Sequence, residues 1–331
     1  MNNICDDLPI ALIYAGGTFG SHGVPLSPLA AEQFLPVLSE QLSQHGYQVQ
    51  ILDNEIVKDS STLTPADFVQ FYQLILQAYQ SGHRRFVLIT GTDSLSFLAA
   101  FLANALADFD ISLVITGSMQ PLLIADNPNY QIDTASDAWA NLSESLDLAM
   151  ANNGIFMQFY HKAMNAKNTQ KINSQSHDAF VGLPADFRQS PSQPVLIDTY
   201  LDNLPTLIHA AKHTQIQAIY ALPNDSDALA YALNAVNDKT KAVILIGFGA
   251  GNLPKSDAII AALEQLAQRQ IAVICTTMCA YGGTNANYAA GAWQYQHGVW
   301  AAGSLSIAGI YGQALWLAVN HQLDLTHWKI S

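Results

Sequence analysis

The sequence has little charge of either sign and especially little positive charge. Charged residues make up 12% of its 331 residues, and 13 lysines and arginines stand against 26 acidic residues, a formal net charge of −13. Binding a nucleic-acid backbone requires clustered lysine and arginine, and an anionic membrane surface attracts the same residues. We therefore expect neither nucleic acid nor membrane as a partner.

Cysteines and long apolar runs are scarce as well. Cys5, Cys275 and Cys279 are too few for a disulfide framework, which fits a reducing compartment. The longest apolar region, residues 95–116, is interrupted by one asparagine and two aspartates, so we do not expect it to span a bilayer. The first residues, MNNICDDLPIALIY, have acids where a secretory signal has basic residues. We expect a cytoplasmic protein.

The apolar residues fall into short β-rich runs that alternate with helical patterns. In the first part of the chain the runs predict strands at 10–15, 47–53, 85–90, 111–117 and 154–160 and helices at 27–46, 65–81, 94–109 and 134–150. The helix at 65–81 has clear end signals, with Thr64 as N-cap, Pro65 at its first position and Gly82 just past its end. This alternation predicts an α/β fold with a parallel, Rossmann-like sheet.

A second alternating unit follows a polar stretch. Residues 182–205 are rich in proline, glutamine, serine and aspartate, and we interpret them as part of a linker. Beyond it the pattern predicts strands at 216–222, within 241–252 and at 271–277, and helices that start at Asp225, after Pro254 and at Ser304. We therefore divide the chain into an N-terminal catalytic α/β domain at 1–183, a linker at 184–213 and a smaller C-terminal α/β domain at 214–331.

Four predicted strands of the first domain end in loops rich in glycine and hydroxyl groups. Ligands of open parallel sheets bind at the carboxyl ends of the strands, where these loops should meet. Each loop also fits a structural role, since Thr18, Thr92 or Asp93 would be an ordinary helix cap. Capping alone does not require Gly-x-hydroxyl at three successive strand ends. The loops are AGGTFG with Thr18, KDSSTLT with Asp59 and Ser60, TGTDSL with Thr92 and Asp93, and TGSMQP with Ser118.

Lys171 is the candidate base among the scarce basic residues. A hydroxyl nucleophile stays protonated at neutral pH and needs a base, and a lysine desolvated in a cleft can supply one. Lys171 lies in the polar segment 165–180, just after the predicted strand at 154–160. The alternative is a solvated loop lysine, which is the usual state of this residue type.

Motifs for cofactors and metals are weak. GFGAGN fails the spacing of a dinucleotide loop, with Asn252 where its third glycine should be. Cys275 and Cys279 lack a second pair of ligands, and His209 and His213 lack the glutamate of a zinc-protease helix. We expect no cofactor and no metal.

The pair of threonine motifs resembles the L-asparaginase family, and more closely its cytoplasmic type I branch, over nearly the whole chain. AGGTFG is similar to the family motif that carries the nucleophile, which implies that Thr18 attacks the side-chain amide of the substrate. TGTDSL is similar to the motif H-G-T-D-T. That likeness implies that Thr92 is the second threonine and that Asp93 holds the substrate's α-amino group.

Three further segments extend the resemblance to the rest of the site. KDSSTLTPADF is similar to the segment whose serine binds the α-carboxylate, which places that role on Ser60, and we count Asp59 and Ser118 with it as substrate-binding. NTQK is similar to R-T-T-K, so Lys171 would complete a second triad with Thr92 and Asp93. FGAGN is similar to a C-terminal loop whose asparagine, here Asn252, reaches an active site, in relatives that of a neighbouring subunit.

Two departures from the family pattern concern the base that activates Thr18. The family has a tyrosine on the loop after the nucleophile, and Val24 stands at its expected position. The segment LLIADNPNYQIDTA carries extra residues before SDAWANL, which resembles the family's S-D-G-x-x-N-L. We hypothesise that Tyr130, within the extra residues, supplies the missing phenol.

The resemblance implies an amidohydrolase that converts L-asparagine to L-aspartate and ammonia through an aspartyl ester, as a homodimer or homotetramer. One alternative is a non-catalytic protein that binds asparagine or aspartate on the same scaffold, motivated by Val24. A second is a glutaminase-asparaginase that also takes L-glutamine. A third is the amidase subunit of a tRNA-dependent amidotransferase, against which the acidic balance counts.

Overall fold

The computed structural model describes residues 8–187, 195–224, 226–279, 281–284 and 289–329. They form two compact units, Met1–Pro205 and Thr206–Ser331, which are described separately. The fold of the described residues is α/β, with one main sheet in each unit. Among the described residues, none of the helices combines the length and the apolar character needed to cross a membrane.

Among its described residues the first unit contains a seven-stranded sheet, a small hairpin and four helices that lie wholly within it. In chain order its elements are β1 (Ile10–Tyr14), β2 (Ser21–His22), β3 (Ser27–Pro28), α1 (Ala31–Gln44), β4 (Val49–Ile51), α2 (Pro65–Gln80), β5 (Arg85–Ile89), α3 (Leu95–Ala105), β6 (Ser112–Thr116), α4 (Asp137–Ala151), β7 (Gly154–Phe159), β8 (Lys162–Lys171) and β9 (Phe180–Pro184). The predicted strands and helices are present, but the first helix starts later than predicted because residues 27–28 belong to β3.

The sheet order is β4-β1-β5-β6-β7-β8-β9. Strands β4, β1, β5, β6 and β7 are parallel, so their carboxyl ends lie along one edge. Strands β8 and β9 are antiparallel additions, which makes the sheet mixed rather than purely parallel. The alternating apolar residues of β1 and β5 pack against α1 and α4, on which apolar residues recur three or four positions apart. The buried cluster that they form includes Leu12, Val87, Leu38, Leu142 and Leu146.

Helix α2 begins as its sequence signals predict. The side chain of Thr64 accepts a hydrogen bond from the N–H of Asp67, and Asp67 accepts one in return from the N–H of Thr64, which forms a capping box. Pro65 occupies the first turn, where its missing N–H costs nothing. Gly82 follows the helix with φ +105°.

Strand β8 corrects the expectation of a polar loop around Lys171. Its first residues pair with β7, from Lys162 opposite Phe159 to Asn165 opposite Phe156. Farther along it pairs with β9, with a register irregularity between Met164 and Thr169, and it packs against α3. The strand escaped prediction because its buried positions include Asn168 and Thr169, so apolar residues do not mark its alternation.

The second unit is built around a four-stranded parallel sheet of order β10-β11-β12-β13. Its central strand β11 is buried on both faces, with Val243 and Leu245 in one core cluster and Ile244 and Ile246 in the other. The remaining elements are α5 (Ile197–Lys212), which crosses the boundary between the units, β10 (Gln215–Tyr220), α6 (Ser226–Asn234), β11 (Thr240–Gly247), α7 (Asp257–Gln268), β12 (Ala272–Thr277), α8 (Ala289–Ala292), β13 (Val299–Ala301) and α9 (Ile307–Val319).

Helix α5 occupies much of the segment 184–213 that the sequence pattern predicts to be a linker. It buries Leu204, Leu207 and Ala211, which lie three and four residues apart and therefore on one helix face. Pro205 within the helix made the segment resemble a linker, and the boundary between the units falls directly after that residue. Part of the predicted linker, residues 188–194, and the predicted helix start at Asp225 lie outside the described residues.

Candidate active site

The four hydroxyl-rich loops follow strands that are neighbours in the sheet. Strands β4, β1, β5 and β6 stand side by side and run parallel, so the loops after them leave from the same edge. Backbone hydrogen bonds continue beyond the strands, from Ala15 N–H to the Ile89 carbonyl at 2.8 Å and from Thr90 N–H to the Thr116 carbonyl at 2.9 Å. The sheet therefore brings together the loops that the sequence singled out.

The glycines of these loops are required because the loops pack backbone against backbone. Gly16 and Gly17 have φ of +87° and +82°, a region that favours glycine. A Cβ atom on Gly17 would lie 2.3 Å from the Cα of Gly91, and one on Gly16 would lie 2.7 Å from the backbone nitrogen and oxygen of Lys58. A Cβ on Gly91 would in turn meet Ser60 Oγ at 2.5 Å. The close approach implied by the glycine-rich sequence is thus made between the loops themselves.

Thr18 opens a single 3₁₀ turn, Thr18–Gly20, directly after the two glycines. Its carbonyl accepts the N–H of Ser21, and the next helix begins only at Ala31, so Thr18 does not cap a helix. The residue is only partly buried. Because Gly17 lies against Gly91, Thr18 and Thr92 follow directly after two backbones that are in contact.

Thr92, Asp93 and Lys171 form a hydrogen-bonded cluster. Lys171 Nζ donates to Thr92 Oγ1 at 2.8 Å and to Asp93 Oδ1 at 2.9 Å. Thr92 is buried, whereas the side chains of Lys171 and Asp93 are 22% and 60% exposed. The N-cap of α3 is Ser94, so the alternative in which Thr92 or Asp93 caps that helix is wrong. Lys171 is therefore not a solvated loop lysine, since it ends β8 with its amine on two residues of another loop.

Ser60 joins the loop after β4 to the loop after β5. It is buried, and its Oγ accepts the N–H of Asp93 at 3.2 Å. Its carbonyl accepts the hydroxyl of Ser94 at 2.7 Å. A hydroxyl that accepts one hydrogen bond still has its own proton to donate, so Ser60 is able to bind an anionic oxygen beside Asp93.

Asp59 and Ser118 make local bonds in their own loops. The Asp59 carboxylate caps the 3₁₀ turn Ser60–Thr62 by accepting the N–H of Ser61 at 2.8 Å. The buried Ser118 hydroxyl donates to the Gln120 carbonyl at 2.5 Å. These bonds account for both side chains as loop-forming residues, and their binding of substrate stays a prediction.

Sequence reasoning passed over two residues that fix the loop after β6. Asp137 accepts the N–H groups of Met119 and Gln120 at 2.9 Å each, one on each carboxylate oxygen. Asn141 donates to the Gly117 carbonyl at 3.0 Å and to Asp137 at 3.1 Å. The segment SDAWANL was the available signal, because its acid and amide lie four residues apart on one face of α4.

Val24 and Tyr130 occupy two different segments that contact each other. Val24 is 76% exposed on the hairpin of β2 and β3 and has no group that can exchange a proton. Tyr130 has φ +53° and packs edge-on against His22, with ring centroids 5.1 Å apart. The extra segment also binds the hairpin through Gly23 N–H to the Ala125 carbonyl at 2.8 Å. Tyr130 thus lies beside the loop that follows Thr18.

Tyr14 is a second phenol close to this loop. It ends β1 and is 1% exposed. Its hydroxyl lies against Gly20, since a Cβ atom added to that glycine would be only 1.9 Å from it. The hydroxyl has no hydrogen-bond partner among the described residues. Burial raises the pKa of the Tyr14 phenol well above its ordinary value, so this group does not fit the role of a base at neutral pH.

Asn252 lies in the second unit, in the loop after β11. Its N–H and carbonyl pair with Phe248, and its buried amide oxygen has no hydrogen-bond partner within the described part of the chain. The adjoining Gly251 carbonyl accepts hydrogen bonds from Gln294 at 2.9 Å and Cys275 at 3.3 Å, which fix the loop. In the described ranges no three His, Cys, Asp or Glu side chains are grouped as a metal site would require.

Comparison with known proteins matches both units. Residues 9–188 match the family model of the asparaginase N-terminal domain, and residues 215–324 match that of the glutaminase/asparaginase C-terminal domain. The chain is 26% identical to L-asparaginase 1 of Escherichia coli, over 97% of this chain and 91% of that protein. It is 25% identical to a subunit of the glutamyl-tRNA(Gln) amidotransferase of Nanoarchaeum equitans, over 83% of this chain and 70% of that protein. The crystal structure of L-asparaginase I from Vibrio cholerae shares the fold, with a TM-score of 0.75, 21% identity and 97% coverage of both chains.

Proposed function

The chain belongs to the asparaginase family in both of its domains, and on that basis we propose that it is an amidohydrolase that converts L-asparagine to L-aspartate and ammonia. The observation that carries the proposal is the cluster in which Lys171 Nζ binds both Thr92 and Asp93. A hydrolase of this kind needs a hydroxyl nucleophile, a group that activates water and a way to hold a small zwitterion. The loops after β1, β4 and β5 supply residues for each task.

The proposed reaction begins with attack of Thr18 Oγ1 on the side-chain amide carbon. The C–O bond forms as the carbonyl π bond opens to an oxyanion, which the N–H groups of the glycine-rich loops beside Thr18 and Thr92 would stabilise. The proton of Thr18 passes through a base to the departing nitrogen, the C–N bond breaks, and ammonia leaves. An aspartyl ester on Thr18 remains.

The ester is then hydrolysed by water activated at Thr92 and Lys171. In the resting arrangement Lys171 Nζ donates to Thr92 Oγ1. To activate water this hydrogen bond would reverse, so that Thr92 passes its proton to Lys171 and accepts one from the attacking water. Water attacks the ester carbonyl, the bond to Thr18 Oγ1 breaks, and that oxygen regains a proton as aspartate is released. We keep Tyr130 as the proposed phenol in place of the tyrosine that Val24 replaces.

Binding of the substrate's two charged ends is assigned to the loops after β4 and β5. Asp93 is 60% exposed, and its second carboxylate oxygen remains available to an α-amino group because Lys171 occupies Oδ1. The Ser60 hydroxyl would bind the α-carboxylate. Asp59 and Ser118, in the neighbouring positions of their loops, are kept as proposed substrate-binding residues. This arrangement places opposite charges of the zwitterion on two loops joined by the bond between Asp93 N–H and Ser60.

Assembly and location complete the proposal. Asn252 would contribute to a neighbouring subunit's site in a homodimer or homotetramer, which light scattering of the purified protein would test. Cys275 and Cys279 are both free thiols, in keeping with a cytoplasmic protein.

The first experiment measures ammonia release from L-asparagine and, separately, from L-glutamine, by the wild type and by Thr18→Ala. Release from asparagine that disappears in the variant is the expected result. The two substrates differ by one methylene, which a binding pocket discriminates by about 1–3 kcal/mol, so a broad glutaminase-asparaginase would show comparable rates on both.

Two other functions give different results in the same experiment. A non-catalytic binding protein, which the exposed Val24 favours, would release no ammonia while asparagine raised its melting temperature. A component of an amidotransferase, suggested by the similarity to the glutamyl-tRNA(Gln) amidotransferase, would release ammonia productively only with its partner and a charged tRNA. Rapid release from free asparagine by the isolated chain would exclude both.

A further inference from the structure

One carboxylate oxygen of Asp67 receives hydrogen bonds from both ends of the loop that carries Ser60. Lys58 Nζ donates to Asp67 Oδ2 at 2.7 Å, and the Thr64 backbone N–H and hydroxyl donate to the same oxygen at 2.6 and 2.7 Å. We call Lys58, Thr64 and Asp67 the carboxylate clasp. The residues that it joins, Lys58 and Thr64, are the first and last of the segment 58–64.

The acceptor of the clasp, the carboxylate of Asp67, is largely buried and is charged at neutral pH. The Asp67 side chain is 12% exposed, whereas that of Lys58 is 36% exposed. Burial alone would raise the pKa of Asp67, but hydrogen bonds from Lys58 and Thr64 together outweigh it and lower the pKa below its ordinary value. The oxygen that joins the two ends therefore carries negative charge and attracts the Lys58 ammonium.

The segment inside the clasp is a compact turn centred on Ser60. Asp59 accepts the N–H of Ser61 on its carboxylate and the N–H of Thr62 on its carbonyl, at 2.8 and 3.0 Å. Lys58 N–H is bound to the Ala15 carbonyl at 3.2 Å, which also ties the start of the segment to the end of β1. The clasp thus joins the two ends of the segment that carries Ser60, whose Oγ also accepts the N–H of Asp93.

Helix capping alone does not explain Lys58. The capping box of α2 is complete with Thr64 and Asp67, whose side chains satisfy each other's backbone N–H without a cation. A partly buried ion pair is also weak support for stability, because removing the two charges from water offsets much of their attraction. Lys58 lies at the end of the segment away from α2, and we therefore attribute to it a role in fixing the conformation of that segment.

We propose that Lys58 and Asp67 are positioning residues that hold Ser60 where it binds the α-carboxylate of the substrate. The proposal rests on the proposed function, because it assigns that role to Ser60. Its consequence is selective. Loss of the Lys58 ammonium should weaken recognition of the α-carboxylate, while the amide end of the substrate still meets Thr18, Thr92 and Lys171 as before.

The test compares the wild type with Lys58→Met and Lys58→Arg on two substrates. L-asparagine has the α-carboxylate, and 3-aminopropanamide is the same molecule without it. For Lys58→Met we expect KM for asparagine to rise about tenfold, the scale of one weakened hydrogen bond, with kcat within about twofold. We expect no change in kcat/KM for 3-aminopropanamide and recovery of most of the loss in Lys58→Arg.

Two further variants separate geometry from general damage. Asp67→Asn removes the charge but keeps an acceptor for Thr64, so it should raise KM for asparagine as Lys58→Met does. Lys162→Met is the matched control, since it breaks another lysine–aspartate pair of the same unit, with Asp178 at 2.5 Å, and should leave KM unchanged. Melting temperatures of all variants are measured alongside the kinetics.

The outcomes distinguish failure of this inference from failure of the proposed function. An unchanged KM for asparagine in Lys58→Met overturns the inference, and so does an equal loss on both substrates. If the wild type releases no ammonia but binds L-asparagine, the same variants are compared by their calorimetric dissociation constants. A tenfold weaker binding in Lys58→Met then supports the inference, and an unchanged dissociation constant overturns it. A wild type that neither cleaves nor binds asparagine overturns both.

Discussion

Replacement of Gly17 by alanine tests whether the contact between the loops after β1 and β5 sets the geometry for reaction. A Cβ at this position would lie 2.3 Å from Gly91 Cα and 2.4 Å from Gly91 N, where ordinary contacts are 3.4–4 Å. Both atoms belong to the backbone, so no flexible side chain can turn aside. The two loops must separate by about 1 Å to restore ordinary contact.

A separation of this size acts on the distance between Thr18 and Thr92, which follow the two glycines. A misplacement of about 1 Å in a catalytic arrangement costs about 100-fold in rate. At about 1.4 kcal/mol for each factor of ten, that is a loss of about 2.7 kcal/mol of transition-state stabilisation. We therefore expect kcat/KM for L-asparagine to fall about 100-fold in Gly17→Ala.

Gly46→Ala is the control because it places an alanine at positive φ without the clash. Gly46 has φ +77°, close to the +82° of Gly17, and a Cβ there would meet nothing within 4 Å. An alanine at positive φ costs about 1–2 kcal/mol at Gly46. Gly17, with ψ −168°, lies in a region almost restricted to glycine, so strain of about 1–3 kcal/mol adds there to the clash. Both variants should melt below the wild type, and Gly17→Ala should melt at the lower temperature. Activity in Gly46→Ala should stay at the wild-type level. Wild-type kcat/KM in Gly17→Ala, or an equal loss in both variants, would show that the loop contact does not set the reaction geometry.

Three other predictions concern side chains. Lys171→Met should lower kcat about 10²–10⁴-fold in the ammonia assay, the usual contribution of an acid–base group, while Lys162→Met should not; equal rates in the two variants would contradict the role of Lys171. Tyr130→Phe keeps the ring against His22 and removes the phenol, so kcat should fall by a similar factor if the phenol is the base, and unchanged turnover would end that hypothesis. Burial raises the pKa of Cys275 to about 12. In the folded protein, iodoacetamide at pH 8 should therefore label the exposed Cys279 and spare Cys275, which peptide mass spectrometry would detect. Rapid labelling of Cys275 would show that β12 opens.

Local signals in the sequence predicted the elements that depend on local physics. The capping box and proline of α2, and the alternation of apolar strands with helices, act through neighbouring residues, so their outcome can be read along the chain. Strands β8 and β9 were missed because small and polar residues occupy much of β8, and their burial depends on the packing of that strand against α3. Helix α5 was hidden by Pro205 in a polar context.

Residue type and spacing were enough to predict the α/β alternation and the set of glycines, hydroxyls and acids that follow the strands, and the resemblance of the two threonine motifs indicated the family. The contacts between these groups were decided by the tertiary structure. Gly17 serves contact with Gly91, Thr92 receives the amine of a lysine 79 positions away, and Lys58 and Thr64 meet on one oxygen of Asp67. These contacts depend on sheet order and loop packing, which bring together residues that no local pattern relates.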